Sequence, residues 1–172
     1  MFYSGFSLQN ESYLFEDFLG ESKYCISGFS YGAIKALHRM EDDLKNSKRV
    51  DTLQLLSPAF FQTKEEKFKR LQLMSYKKNR VKYLQQFLLG CFSPHSQKIV
   101  EQTETQESEL KELLEFEWVL ERLKDIRDKG VVIEVYLGSS DAIIDVQAAR
   151  AFFLQVATVT YIKKANHFLQ IN

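Results

Sequence analysis

The chain has 172 residues, enough for one compact core and too few for two independent ones. Apolar residues make up 45% and charged residues 27%, the composition of an ordinary globular protein and not of a disordered one. Lysine plus arginine equal aspartate plus glutamate at 23 each, so the formal net charge is zero and no global field favours nucleic acid or an anionic membrane.

Two cysteines, Cys25 and Cys91, are too few for a disulfide framework. Without a Cys-x-x-Cys spacing they point to neither zinc nor redox work, and both are read as reduced thiols. The opening residues show no basic stretch followed by an apolar one, and no uninterrupted apolar run reaches the roughly 18 residues of a membrane span. A cytoplasmic monomer without membrane contact is expected.

Short β-rich runs recur along the chain at 1–3, 24–27, 53–57, 131–137 and 158–162, with helical stretches between them, which predicts an α/β fold. Residues 131–137 are almost continuously β-branched or aromatic, the pattern of a parallel strand covered by helices on both faces. Gly130 precedes that strand as a helix stop after an amphipathic run over 109–129. Residues 58–106 break the rhythm. They contain a long helical stretch and no strand, and are expected to form a helical cap inserted into a single domain of residues 1–172. Between Lys64 and Lys82 lysines and arginines far outnumber the two acids Glu65 and Glu66, whereas residues 101–128 are rich in glutamate, so the zero net charge hides a polarised molecule.

The strongest chemical signal is Gly28-Phe29-Ser30-Tyr31-Gly32, which follows the apolar run Tyr24-Cys25-Ile26 and leads into a helical run over 34–40. Gly-x-Ser-x-Gly between strand and helix is the context of a nucleophile elbow. The serine sits on a strained turn, and residues two positions away must lack bulk for strand and helix to approach. Ser30 then lies at a helix N-terminus, where the Tyr31 N–H can face a developing oxyanion. A serine nucleophile needs a base, and His167, in Ala165-Asn166-His167-Phe168 just after the last β-run, is placed to supply it. His38 in the helix and His95 in the cap are read as surface or packing residues.

An orienting acid belongs just beyond the C-terminal end of a buried strand, and Gly138-Ser139-Ser140-Asp141 follows the run 131–137. Asp141 is favoured for that role. Asp145, a few residues on, better suits the N-cap of a helix over 146–154. Ser4-Gly5-Phe6-Ser7 after the first short run is the candidate for the second oxyanion donor, through the Phe6 N–H, with a plain turn as the competing reading.

These four segments, in this order, resemble the signature loops of the α/β-hydrolases. The opening Phe2-Tyr3-Ser4-Gly5-Phe6-Ser7-Leu8-Gln9-Asn10-Glu11-Ser12 is similar to that of the short pimeloyl-acyl-carrier-protein methyl ester esterases of biotin synthesis. The resemblance implies a minimal α/β-hydrolase fold of about five mostly parallel strands flanked by helices, with the oxyanion strand at an edge. It implies hydrolysis of the methyl ester of pimeloyl-acyl-carrier protein, with Ser30 as nucleophile, His167 as base, Asp141 as orienting acid, and Phe6 and Tyr31 as oxyanion donors. No metal or organic cofactor is implied.

The chain departs from the family in lacking room for the strand and helix that usually stand between the oxyanion strand and the elbow. Ser4 stands where His is frequent, and Asn166 where Gly is frequent. An acidic carrier protein fits the basic cap, with Arg70, Lys77, Lys78 and Arg80 as candidate docking residues. A general small-acyl esterase or thioesterase is the rival enzyme, and a binding module without catalysis is the rival of another class. Nucleic-acid binding would rest on the 64–82 cations alone, without a supporting motif.

Overall fold

The computed structural model describes residues 1–172. Five parallel strands form the main sheet: β1 (Phe2–Tyr3), β3 (Cys25–Phe29), β4 (Thr52–Leu56), β6 (Val132–Gly138) and β7 (Thr158–Ile162), in the order β1-β3-β4-β6-β7. Strand β2 (Leu8–Gln9) pairs antiparallel with β5 (Glu101–Gln102) in a separate two-stranded ribbon. The helices are α1 (Tyr31–Lys45), α2 (Glu66–Lys78), α3 (Arg80–Phe92), α4 (Glu107–Glu115), α5 (Leu120–Asp128) and α6 (Val146–Phe153), with a 3-10 helix over Glu11–Phe15. No helix is long and apolar enough to cross a membrane.

Strand alternation sorts side chains to two unlike faces. Ile26, Leu53, Leu55, Ile133, Val135 and Leu137 point to one face and join Ile34, Leu37 and Met40 of α1, Leu123 and Ile126 of α5, and Ala149 and Phe153 of α6 in the larger core. The expectation of helices on both faces of β6 is corrected here. Its second face carries Val132, 51% exposed, with Glu134 and Tyr136 half-buried. Near the strands' C-terminal ends this second face is covered by Leu14 and Phe15 of the 3-10 helix, by Phe168 and Leu169, and by the last turn of α3. Lower down, a polar ladder replaces apolar packing. The Ser27 hydroxyl donates to Gln54 Oε1 at 2.9 Å, Gln54 Nε2 donates to Glu134 at 2.8 Å, and the Tyr136 hydroxyl donates to the same carboxylate at 3.1 Å.

Two predicted helices are each divided. The amphipathic run over 109–129 becomes α4 and α5, because Trp118 is drawn into the core between them. Its indole N–H donates to the Ala59 carbonyl at 2.8 Å, its backbone N–H donates to Gln62 Oε1 at 2.8 Å, and its ring packs edge-on against Phe153 at 5.2 Å. The long stretch in residues 58–106 divides at Asn79, which leaves helical geometry (φ −158°, ψ 89°) and accepts the Lys82 N–H at 2.9 Å as the N-cap of α3. The same segment holds β5, where no strand was expected. A ladder two residues long leaves no periodic signal, and the Gln9 and Asn10 amides secure it by donating to Glu101. Helix α5 does end at the glycine stop, with Gly130 at φ 89°.

Candidate active site

The loops after β1, β3, β6 and β7 converge at the C-terminal end of the sheet, where open α/β sheets bind ligands. Ser30 occupies the turn between β3 and α1 with φ 53° and ψ −115°, a conformation that costs strain for any residue but glycine. Surrounding bonds hold it there. The Ser30 N–H donates to the Leu56 carbonyl at 2.9 Å, and the Ser30 carbonyl accepts from Ala33 and Ala59. The flanking glycines allow the close approach. A Cβ on Gly28 would lie 2.2 Å from the Gly32 carbonyl oxygen, and one on Gly32 would lie 2.0 Å from the Tyr3 carbonyl oxygen.

His167 Nε2 lies 2.9 Å from Ser30 Oγ, and its Nδ1 lies 2.6 Å from Asp141 Oδ2. The His167 and Asp141 side chains are wholly buried. A carboxylate facing Nδ1 favours the tautomer with the proton on Nδ1, which leaves Nε2 to accept the serine proton. Asp141 is itself held, because Oδ1 accepts the N–H groups of Ile143 at 2.8 Å and Ile144 at 3.3 Å. Asp145 lies elsewhere. It accepts the Ala148 N–H at 3.1 Å as the N-cap of α6 and also binds the Thr63 hydroxyl. His38 is exposed beside Phe116, and His95 contacts the Lys164 carbonyl.

Packing places the histidine loop. Phe168 is fully buried and stacks on Phe92 at 4.3 Å and Phe29 at 4.8 Å, an anchor of about 1.5–3 kcal/mol from burial. Asn166 donates to the Phe92 carbonyl at 2.8 Å and accepts from the Gln170 N–H at 3.0 Å, tying the loop to α3. The Ser140 N–H donates to the Ala165 carbonyl at 2.8 Å, which joins the aspartate loop to the histidine loop. Asn166 stood in the sequence only as a departure from glycine, and nothing local marked its bridging role.

The N–H groups of Phe6 and Tyr31 donate to no acceptor in the protein. Phe6 is buried with its ring edge-on to Phe87 at 5.8 Å and to Tyr31 at 6.4 Å. Phe87 also lines a cavity of about 680 Å³ beneath α2 and α3, whose buried wall includes Phe61, Leu110 and Leu114 and whose exposed rim carries Lys78 and Lys82. Ile143, two residues beyond Asp141, lines the same cavity, so the space adjoins both the Phe6 and Asp141 loops. Burial pushes the Cys91 thiol well above its ordinary value and the Asp141 charge adds to this, so Cys91 stays a neutral thiol and no rival nucleophile.

Of the four cations assigned to docking, Lys77 pairs with Glu107 at 2.9 Å and the Arg80 guanidinium donates to the Thr105 carbonyl at 3.4 Å. Arg70 is exposed on α2, and Lys78 stands at the cavity rim. Glu11, absent from the candidates read in the sequence, is wholly buried beside the Phe6 loop.

No family model and no curated protein matches the sequence. Solved structures do match. The naproxen esterase (carboxylesterase NP) of Bacillus subtilis superposes with a TM-score of 0.53 at 22% identity, over 86% of this chain and 54% of that one. An esterase of Exiguobacterium antarcticum gives 0.59 at 16% identity, over 82% and 58%. Est816, described as an N-acyl homoserine lactone degrading enzyme, gives 0.60 at 14% identity, over 99% and 86%. The chain spans about half the length of the first two Bacillus subtilis structures it matches. With its parallel sheet order and helices, the likeness identifies the fold as a minimal α/β-hydrolase fold.

Proposed function

We propose that the chain is a serine ester hydrolase whose substrate is the methyl ester of pimeloyl-acyl-carrier protein, cleaved to the free acid and methanol in biotin synthesis. The observation that carries the chemistry is the continuous relay from Ser30 Oγ to His167 at 2.9 Å and from His167 to Asp141 at 2.6 Å. His167 Nε2 takes the Ser30 proton as Oγ attacks the ester carbonyl, and the Phe6 and Tyr31 N–H groups stabilise the oxyanion. The imidazolium then protonates the departing methoxide. Water, deprotonated by the same imidazole, releases the acid and restores the Ser30 hydroxyl. Asp141 keeps the imidazole in the required tautomer throughout. Several of the matched structures are named esterases or carboxylesterases, which supports the ester class.

Two features support a carrier-protein substrate. The cavity is lined mainly by apolar side chains and is large enough for a medium acyl chain, with lysines at its rim. On α2, Lys67, Arg70, Leu71, Met74, Lys77 and Lys78 recur at three- and four-residue spacing, and all are exposed, with Leu71 at 49% and Met74 at 58%. Cations interleaved with exposed apolar side chains suit an acidic protein partner better than a merely solvated helix face.

The test is release of acid from pimeloyl-acyl-carrier-protein methyl ester by the wild type and by Ser30→Ala, beside p-nitrophenyl butyrate. Serine-dependent cleavage of the carrier ester, far faster than of the small ester, is expected. Cleavage of the small ester alone would leave a general esterase, and cleavage of neither would favour a binding module. Arg70→Glu with Lys78→Glu should lower kcat/KM on the carrier ester by about tenfold, with the loss shrinking at high salt, and spare the small ester. No effect of charge reversal or salt would remove the docking assignment.

A further inference from the structure

The loop that presents the Phe6 N–H hangs from an edge strand. Strand β1 has two residues and pairs only with β3, so the sheet does little to fix the backbone beyond it. Local bonds do this instead. The Leu8 N–H donates to the Gly5 carbonyl at 3.2 Å, and the Gly5 N–H donates to Glu11 Oε1 at 2.7 Å. A trans peptide is planar with its C=O and N–H pointing opposite ways. The bond to the Gly5 carbonyl therefore aims the Phe6 N–H, which shares that plane, while the bond to Glu11 holds the plane on the other side of Gly5 Cα. Together they restrain both torsions of the one glycine in the loop.

Glu11 is 0% exposed, and its second oxygen, Oε2, has no hydrogen-bond partner in the protein. It opens the 3-10 helix after Asn10, which stands at φ 60°. A buried carboxyl served by a single amide N–H is costly, and an apolar side chain would be the more stable occupant of such a site. The one group that this carboxyl serves lies next to the candidate oxyanion donor.

We propose that Glu11 is a positioning residue for the oxyanion site: by accepting the Gly5 N–H it holds the peptide that directs the Phe6 N–H at the developing charge. The proposal rests on the serine-hydrolase reading above. Glu11 touches no reacting atom on this account and acts only through Gly5.

The experiment compares wild type, Glu11→Ala, Glu11→Gln and Ser30→Ala on p-nitrophenyl butyrate, with active serines counted by fluorophosphonate titration and affinity measured for a trifluoromethyl ketone, whose serine adduct bears an alkoxide. Misplacement of an oxyanion donor predicts that Glu11→Ala lowers kcat per titrated serine by about 10²-fold, with KM within about threefold of wild type. Ketone affinity should fall by a factor matching the loss in kcat/KM. Glu11→Gln, whose amide oxygen can accept the same N–H, should recover most of both. If Glu11→Ala does not fold, Glu11→Asp, which withdraws the acceptor by one methylene, carries the same expectation.

A merely structural Glu11 would lower the count of active serines and leave kcat per serine and ketone affinity unchanged, which would overturn the proposal. Equal losses in Glu11→Ala and Glu11→Gln would also overturn it, because they would assign the effect to charge and not to the accepted bond. Turnover surviving in Ser30→Ala would remove the hydrolase reading and this inference together. Turnover lost in Ser30→Ala but unchanged per serine in the Glu11→Ala enzyme would remove this inference alone.

Discussion

The Tyr31 hydroxyl donates a 2.6 Å hydrogen bond to the Glu112 carboxylate, joining the residue after Ser30 to helix α4. Burial pushes the phenol's pKa upward, and the bond to Glu112 adds to it, so Tyr31 remains the donor. Lys35 lies over the Tyr31 ring at 4.4 Å and pairs with Glu109 at 3.8 Å, a second link between the same helices. Tyr31→Phe keeps the backbone N–H and loses only this bond. A hydrogen bond to a charged group is worth roughly 1.5–3 kcal/mol, and partial exposure of the pair places the expected loss near 1 kcal/mol in urea unfolding. A double-mutant cycle with Glu112→Ala should show coupling of similar size, and additive losses would show that the bond contributes nothing.

The two carboxylates after β6 should separate by what each variant loses. Asp141→Asn retains an acceptor for the Ile143 and Ile144 N–H groups but spoils the His167 tautomer, so kcat should fall by roughly 10⁴-fold with little change in melting temperature. Asp145→Ala removes a helix cap and should cost about 1 kcal/mol of stability while leaving kcat within a few-fold. The reverse pattern in kinetics and melting would exchange their roles.

Gly32→Ala would bring a methyl group to 2.0 Å from the Tyr3 carbonyl oxygen, a backbone atom that cannot swing aside. Relief requires α1 to move away from β1, so Ser30 and the Phe6 loop lose register together. The expected outcome is destabilisation of several kcal/mol with loss of fluorophosphonate labelling, read by thermal melting and active-site titration. A variant that labels at the wild-type rate would show that the elbow tolerates the shift.

Acid stability should report on Glu41. The Arg122 guanidinium forms a two-pronged pair with its carboxylate and, against the opposing effect of burial, holds its pKa below the ordinary value. Because the folded value is the lower one, the pair's stabilisation is complete above the unfolded carboxyl's pKa of about 4.3 and fades as pH falls through the folded value. Both side chains are partly exposed, so the contribution should be about 0.5–1 kcal/mol. Melting temperatures of wild type and Glu41→Gln should differ by a constant amount from about pH 7 to 5 and converge near pH 3. A gap that does not narrow in acid would assign the effect to packing.

The residues of the relay were legible in the sequence because the signals that mark them are local. A strand, a Gly-Ser-Gly turn and a helix fit within a few residues around Ser30, and Asp141 and His167 each follow a strand whose side chains announce it. The features that escaped detection act across the chain. Trp118 divides a well-patterned helix because the acceptors of its N–H groups, Ala59 and Gln62, lie far back in sequence. Asn79 caps α3 inside a stretch whose helical pattern does not falter. Glu11 looks like any polar residue in a turn until the fold buries it against Gly5. The second face of β6 departs from the expected apolar cover because Glu134, the one charged residue in that run, is satisfied by Gln54 from the neighbouring strand.

The polar ladder from Ser27 through Gln54 to Tyr136 has a further role as a ruler for the sheet. Parallel strands of similar composition can slide past one another, and a slip of one residue displaces a strand by about 3.3 Å, more than the 2.9 Å between Ser30 and His167. Such a slip in β4 would also turn the Gln54 amide into the apolar core, while a slip of two would bring Thr52 or Leu56 to its level: leucine has no polar atom, and the short threonine hydroxyl lacks the reach with which the two ends of the Gln54 amide serve Ser27 and Glu134. Only one alignment satisfies the amide. The side of the sheet that carries no chemistry thus sets the height at which serine, aspartate and histidine meet at its far end.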